Sequence, residues 1–172
     1  MVFENLLNKL KMLKKDKYLL KKGEILGKIR NFEITNYIDL KVEYNNFKDD
    51  EDIVLEMINN YNARHQHFPL WEVSEKTRNQ TNVAFEAVKN YPSNLAFLSN
   101  DLKANHFVVK EAVMRDGLTL MYASKELRAN VDIIKAALIN NIEAVEFVQF
   151  DESNYMDVLN FIKKMPIQEN VR

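Results

Sequence analysis

The chain has no cysteine, only three glycines and three prolines, and a single tryptophan in 172 residues. Without cysteine there is no disulfide, no thiolate zinc or iron–sulfur site and no cysteine nucleophile, and a reducing cytoplasm fits such a chain. Few glycines and prolines mean few tight turns. With 47% apolar and 28% charged residues, the composition suits a soluble, mainly helical protein. No run of about 18 apolar residues is present to span a bilayer, and the N-terminus lacks the apolar core and cleavage site of a secretion signal. The expected location is the cytoplasm, the chain's own or that of a host into which it is delivered. The glycines are scattered at Gly23, Gly27 and Gly117, which leaves no phosphate-cradling loop. There is no Gly-x-Ser-x-Gly elbow either, and no carboxylate stands inside an apolar stripe, where a shifted pKa would be expected. The sequence therefore leads us to expect no enzyme activity and no cofactor.

Net charge is −1, but it is unevenly divided. Residues 1–30 carry nine Lys or Arg against three Asp or Glu, and the remainder carries 15 against 22. Such asymmetry can mark an interaction segment. Phe3, Leu6, Leu7, Leu10 and Leu13 follow a spacing of three and four, which predicts an amphipathic helix over residues 2–22 ended by Gly23. Lys9, Lys11, Lys14, Lys15, Lys17, Lys21 and Lys22 form its basic face. Either the leucines pack on the body and the lysines are solvated, or the helix binds a partner, nucleic acid or an anionic membrane.

Residues 24–47 read differently. Ile38, Leu40, Val42 and Tyr44 alternate with Asp39, Lys41 and Glu43, the period of two of a half-buried strand. With Phe32 and Ile34 upstream, this predicts a two-stranded hairpin over residues 28–44, turning near Thr35–Asn36. The competing reading puts Ile34, Tyr37 and Ile38 on a helix face.

The rest of the chain is a repeat of 25 residues. When 80–104, 105–129 and 130–154 are stacked, four columns align without a gap: Val83/Val108/Ile133, Ala84/Val109/Ile134, Ala87/Ala112/Ala137 and Val88/Val113/Leu138. Leu95/Leu120/Val145 and Phe97/Tyr122/Phe147 follow. Positions one, four and five apart make one stripe on a first helix, and Leu120 and Ala123 mark a shorter second one. Pro92, Gly117 and the asparagines Asn90, Asn140 and Asn141 read as stops between them, glycine and asparagine through the left-handed cap conformation. The polar stretches at 99–101, 124–126 and 151–153 read as links to the next unit. Residues 50–79 form a degenerate copy with about five extra residues near Asn60–Pro69, and 155–164 open a partial one. The acidic run Asp49–Asp52 is expected to cap the first helix of the degenerate copy. The expected organisation is an N-terminal segment over 1–47, a repeat domain over 48–164 and a tail over 165–172. Neighbouring units would cover one another in an α-solenoid-like stack of short helical pairs.

The pattern Val108-Val109-x-x-Ala112-Val113-x-x-Asp116-Gly117-x-x-Leu120-x-Tyr122-Ala123-Ser124-x-Glu126-Leu127-Arg128 resembles the repeat of the domain of unknown function 4116, well over residues 80–154 and poorly over 50–79. The resemblance implies short helical pairs and occurrence in bacterial and viral proteins, some of them effector-like. It implies no catalytic residue.

Three features are candidates for chemistry or binding. Arg64, His65, Gln66 and His67 lie in the insertion, but two histidines alone do not make a metal site, and no metal is expected there. Phe68 and Trp71 beside them suggest an exposed partner-binding feature with Arg64, His65 and His67. The aromatic column Phe97/Tyr122/Phe147 is expected in the core, the alternative being an exposed stacking ladder. The functional expectation is a non-enzymatic protein-protein interaction module, in its sharper form a bacterial or phage effector or inhibitor. The alternative is nucleic-acid or anionic-membrane binding through the basic helix.

Overall fold

The computed structural model describes residues 2–165, with the side chains of Val2, Phe3, Asn5 and Leu6 left out. Two of the stripe residues, Phe3 and Leu6, and the tail beyond residue 165 thus lie outside the described residues. Contacts divide the chain into two compact units, Met1–Thr77 and Arg78–Arg172. By compactness the degenerate first repeat goes with the N-terminal segment. The described residues are mainly helical and contain no strand.

In the first unit, α1 (Val2–Arg30) runs through both Gly23 and Gly27 instead of ending at Gly23. Each interior glycine costs about 1 kcal/mol of helix propensity. Ile25 and Ile29, both fully buried on a helix that packs against α3 (Glu51–Ala63), contribute about 1.5–3 kcal/mol each, so burial wins. The helix ends instead at Phe32, whose φ is 60°. Phe32 N donates to the Ile29 carbonyl at 3.0 Å and Glu33 N to that of Lys28 at 2.9 Å. These two bonds make a Schellman motif with a phenylalanine where glycine is usual.

The expected hairpin is absent. Residues 37–43 form α2 (Tyr37–Glu43), whose N-cap Asn36 accepts from Asp39 N through its side chain at 2.8 Å. Tyr37, Leu40 and Tyr44 are buried at helical spacing, while Ile38 and Val42 are exposed. The alternation of 38, 40, 42 and 44 was a coincidence of apolar residues on two sides of a helical turn. Of the competing helix reading only Tyr37 is buried on a helix; Ile34 is buried but precedes α2, and Ile38 is on α2 but exposed. After the 3-10 turn Asn45–Phe47, Asp50 caps α3, its Oδ1 accepting from Asp52 N and Ile53 N. Asp49 Oδ1 takes Ser74 N at 3.0 Å. Of the acidic run, Asp50 is thus the cap of α3, while Asp49 holds the backbone just before the short helix Glu75–Arg78.

The degenerate copy follows the same plan as its successors: the long helix α3, a 3-10 turn Leu70–Glu72 and a short helix α4 (Glu75–Arg78). Its core columns Ile53, Val54, Met57 and Ile58 are fully buried. The extra residues lengthen α3 to 13 residues, against ten in each later copy, and form the loop after it.

The second unit repeats one local design. Its first helices are α5 (Thr81–Asn90), α7 (His106–Arg115) and α9 (Val131–Asn140). The four columns read from the sequence, residues 83, 84, 87 and 88 with their counterparts, are all buried. Asn105 caps α7 and Asn130 caps α9 through their side chains. Each first helix ends at an extended residue, Tyr91, Asp116 or Asn141, with φ between −143° and −147°. No glycine among the described residues has positive φ, which corrects the left-handed stop expected at Gly117.

Each end leads into a six-residue 3-10 segment, Pro92–Phe97, Gly117–Tyr122 or Ile142–Phe147. The expected second helix is this segment followed, in two units, by a short α-turn: α6 (Asn100–Lys103) and α8 (Lys125–Ala129). The polar stretches at 99–101 and 124–126 open these turns rather than link units. Ser99 Oγ accepts from Leu102 N at 3.4 Å and Ser124 Oγ from Leu127 N at 3.3 Å. The partial copy is α10 (Tyr155–Lys164), with Val158 fully buried and Lys163 exposed.

Successive copies are joined at equivalent places. α5 packs on α7, α7 on α9, and α9 on α10. Ser124 N donates to the Lys103 carbonyl at 2.8 Å, and 25 residues on, Gln149 N donates to that of Arg128 at 2.9 Å. Asn140 adds to the joint between α7 and α9 by accepting from Gly117 N at 2.7 Å and donating to the Met114 carbonyl at 3.1 Å. Gly117 is required there by proximity: a Cβ on it would lie 2.4 Å from the Ala137 carbonyl oxygen.

Candidate binding surfaces

The insertion does not form an exposed patch as a whole. Phe68 is fully buried, with its ring edge-on to Tyr37 at 5.5 Å and to Tyr61 at 5.4 Å. That overturns its reading as an exposed contact, since a loop of this length needs an apolar anchor in the core. Arg64 lies over the Tyr61 ring and donates to the carbonyls of Thr35 and Asn60. It fastens the segment before α2 to the end of α3. His65 is exposed but has φ of 54°, and Gln66 N donates to the Tyr61 carbonyl at 2.9 Å. This second Schellman stop gives the histidine a backbone role, and histidine tolerates the left-handed region better than most residues. His67 and Trp71 remain at the surface. Among the described residues no three His, Asp or Glu side chains group as metal ligands.

The basic face of α1 divides in two. Lys22 reaches Asp50 at 2.8 Å and Asp52 at 2.5 Å, while Tyr18 donates to Asp50 and stacks on Phe47 at 4.7 Å. Burial and the Asp50 hydrogen bond push Tyr18 up to about 12. Burial works against the Asp50 carboxylate, but the bonds from Lys22 and Tyr18 outweigh it and hold Asp50 below its ordinary value. Burial opposes the Lys22 charge too, and the two aspartates still raise it. Lys21 pairs with Glu24 at 2.9 Å and lies over the Tyr44 ring. Lys21 and Lys22 thus anchor the helix. Lys9, Lys11, Lys14, Lys15 and Lys17 are exposed, as are Leu7, Leu10 and Leu13. The expectation that the stripe packs on the body fails for these three leucines.

The aromatic column also departs from the core. Phe97 is exposed and Tyr122 and Phe147 are half-buried. A 3-10 segment has three residues per turn, which turns Leu95 and Leu98 inward together and leaves Phe97 at the side.

The surface that sequence reasoning missed lies on the outer side of the first helices. Phe107 is 77% exposed, Met114 58% and Ile139 65%. Met114 and Ile139 share one repeat column. An open groove of about 550 Å³ between α7 and α9 is lined by Met114, Ile139, Lys110 and Lys135, and another of about 490 Å³ between α5 and α7 by Phe85 and Phe107. Lys110 bridges to Asp132 at 2.6 Å across the first groove, with His106 Nε2 at 3.5 Å from the same carboxylate. The available signal was that Phe107, Met114 and Ile139 are large apolar residues outside the columns that packing requires.

No curated protein and no solved structure matches the chain. Two overlapping stretches, residues 82–128 and 107–151, match the family described as Domain of unknown function (DUF4116), so the resemblance read from the sequence holds for the segment 82–151.

Proposed function

We propose that the protein is a non-enzymatic interaction module that binds another protein, with its repeats stacked as a short α-solenoid. The observation that carries this reading is the exposed apolar row Phe107, Met114 and Ile139 beside two grooves one repeat apart. Large side chains outside the core columns add nothing to folding when exposed, and clustered exposure of this kind marks an interaction surface. The lysines at 110 and 135 supply a polar rim, as interfaces have around an apolar centre. A photo-crosslinking residue at position 114 should capture a protein in cells that express the chain. The purified partner should then bind Met114→Glu/Ile139→Glu at least tenfold more weakly than the parent chain. Equal affinity for the two would refute the assignment.

A further inference from the structure

The first half of α1 carries a second apolar face, separate from the repeat grooves and independent of the reading above. Phe3, Leu6, Leu10, Leu13, Lys17 and Leu20 are spaced three and four apart in strict alternation, the a and d positions of three heptads. Leu10 is 48% exposed, Leu13 59% and Leu20 78%. The helix packs on its own unit through a different row, Tyr18, Lys22, Ile25 and Ile29. At 3.6 residues per turn, that row lies about 120° around the axis from the heptad seam. Over residues 10–20 the seam therefore faces away from α3 and is left open by the fold. Residues 7–20 are exposed throughout, and an isolated helix of that length is marginal in water.

Charge indicates what covers the seam. Between residues 9 and 17 there are five lysines and one acid, Asp16. Lys9 and Lys14 take flanking g and e positions, and Lys17 takes an a position within the seam. A second copy in parallel register would set Lys17 against Lys17 and Lys9 near Lys14, pairings that oppose association. A lipid surface would take Lys17 to the depth of Leu13 and Leu20, and nucleic acid would leave the leucines in water. An acidic amphipathic helix covers the leucines and neutralises the lysines together. We propose that residues 3–20 are a half coiled coil that pairs with an acidic, leucine-bearing helix of another protein.

The test uses the full chain and a synthetic three-heptad peptide with leucine at a and d, except for glutamate facing Lys17, and glutamate at e and g. Saturable binding by titration calorimetry is expected, with loss of at least tenfold for Leu10→Asn/Leu13→Asn and for Lys14→Glu/Lys17→Glu. These residues are exposed, and both variants should melt as the parent does. A peptide with lysine in place of glutamate should not bind. No binding of the acidic peptide, or equal binding of the lysine peptide, overturns the proposal. So does dimerisation of the chain alone on gel filtration, or tighter binding to phosphatidylglycerol vesicles or duplex DNA than to the peptide. All these results leave the repeat-groove assignment untouched, since that is read at Met114 and Ile139.

Discussion

Replacing Gly117 by alanine tests the closest contact in the repeats. The added methyl would lie 2.4 Å from the Ala137 carbonyl oxygen and 3.1 Å from the Asn141 nitrogen. Side-chain carbons essentially never come within 3.0 Å of such atoms, so α9 and the segment Gly117–Tyr122 must separate by about 0.6 Å, with backbone on both sides. Overpacking of this kind costs about 1–3 kcal/mol. The separation also stretches the 2.7 Å bond from Gly117 N to Asn140, worth about 0.5–1.5 kcal/mol. Alanine returns about 0.4–1 kcal/mol by restricting the unfolded chain. The net loss is about 2 kcal/mol, or about 4–8 °C in Tm for a chain of this size. Thermal melting of the two proteins followed by far-ultraviolet circular dichroism measures it. A Gly117→Ala protein that melts at or above the parent would refute the close approach and the joint it forms.

Gly23→Ala and Gly27→Ala should have the opposite sign, because nothing lies within 4 Å of an added Cβ at either site and each sits inside α1. A gain of about 0.5–1 kcal/mol per site in urea unfolding is expected, and a loss would show that the helix does not run through them. Phe68→Ala should destabilise the first unit by about 3–5 kcal/mol, and Trp71→Ala should cost much less; comparable losses in denaturant melts would contradict their placement. Stability of the first unit should also show two pH limbs. Asp50 is held below its ordinary 3.8, so its contribution is complete above that pH and is lost as pH falls through the lowered value. Tyr18 is raised from 10.0 to about 12 and Lys22 above 10.5. Their contributions are complete below about pH 10 and are lost as pH rises through the raised values. Tyr18→Phe should remove the earlier part of the alkaline loss in pH-dependent melting, and an unchanged profile would argue against the cluster.

The repeat was legible because packing dictates it. Each unit needs the same four apolar positions on its first helix, and the columns at 83, 84, 87 and 88 are buried in every full copy of the second unit. Helix ends were less legible, since the usual glycine signal failed at each glycine. Gly23 and Gly27 are interior to α1, Gly117 answers a close approach, and the left-handed positions fall to Phe32 and His65. Tertiary burial of Ile25, Ile29 and Phe68 overrode local preference there. The hairpin reading failed because four apolar residues two apart satisfy a strand period even when only Tyr37, Leu40 and Tyr44 face the core. The outer apolar row was legible only in part: large apolar residues outside the packing columns are a signal, but that Phe107, Met114 and Ile139 are uncovered is seen only in the structure.

The most direct measurement of the central claim is the affinity of the cross-linked and purified partner for the parent chain and for Met114→Glu/Ile139→Glu, with both melting temperatures recorded. The account predicts at least tenfold weaker binding by the variant at an unchanged melting temperature. Unchanged binding would place the partner elsewhere and contradict the assignment of the repeat grooves.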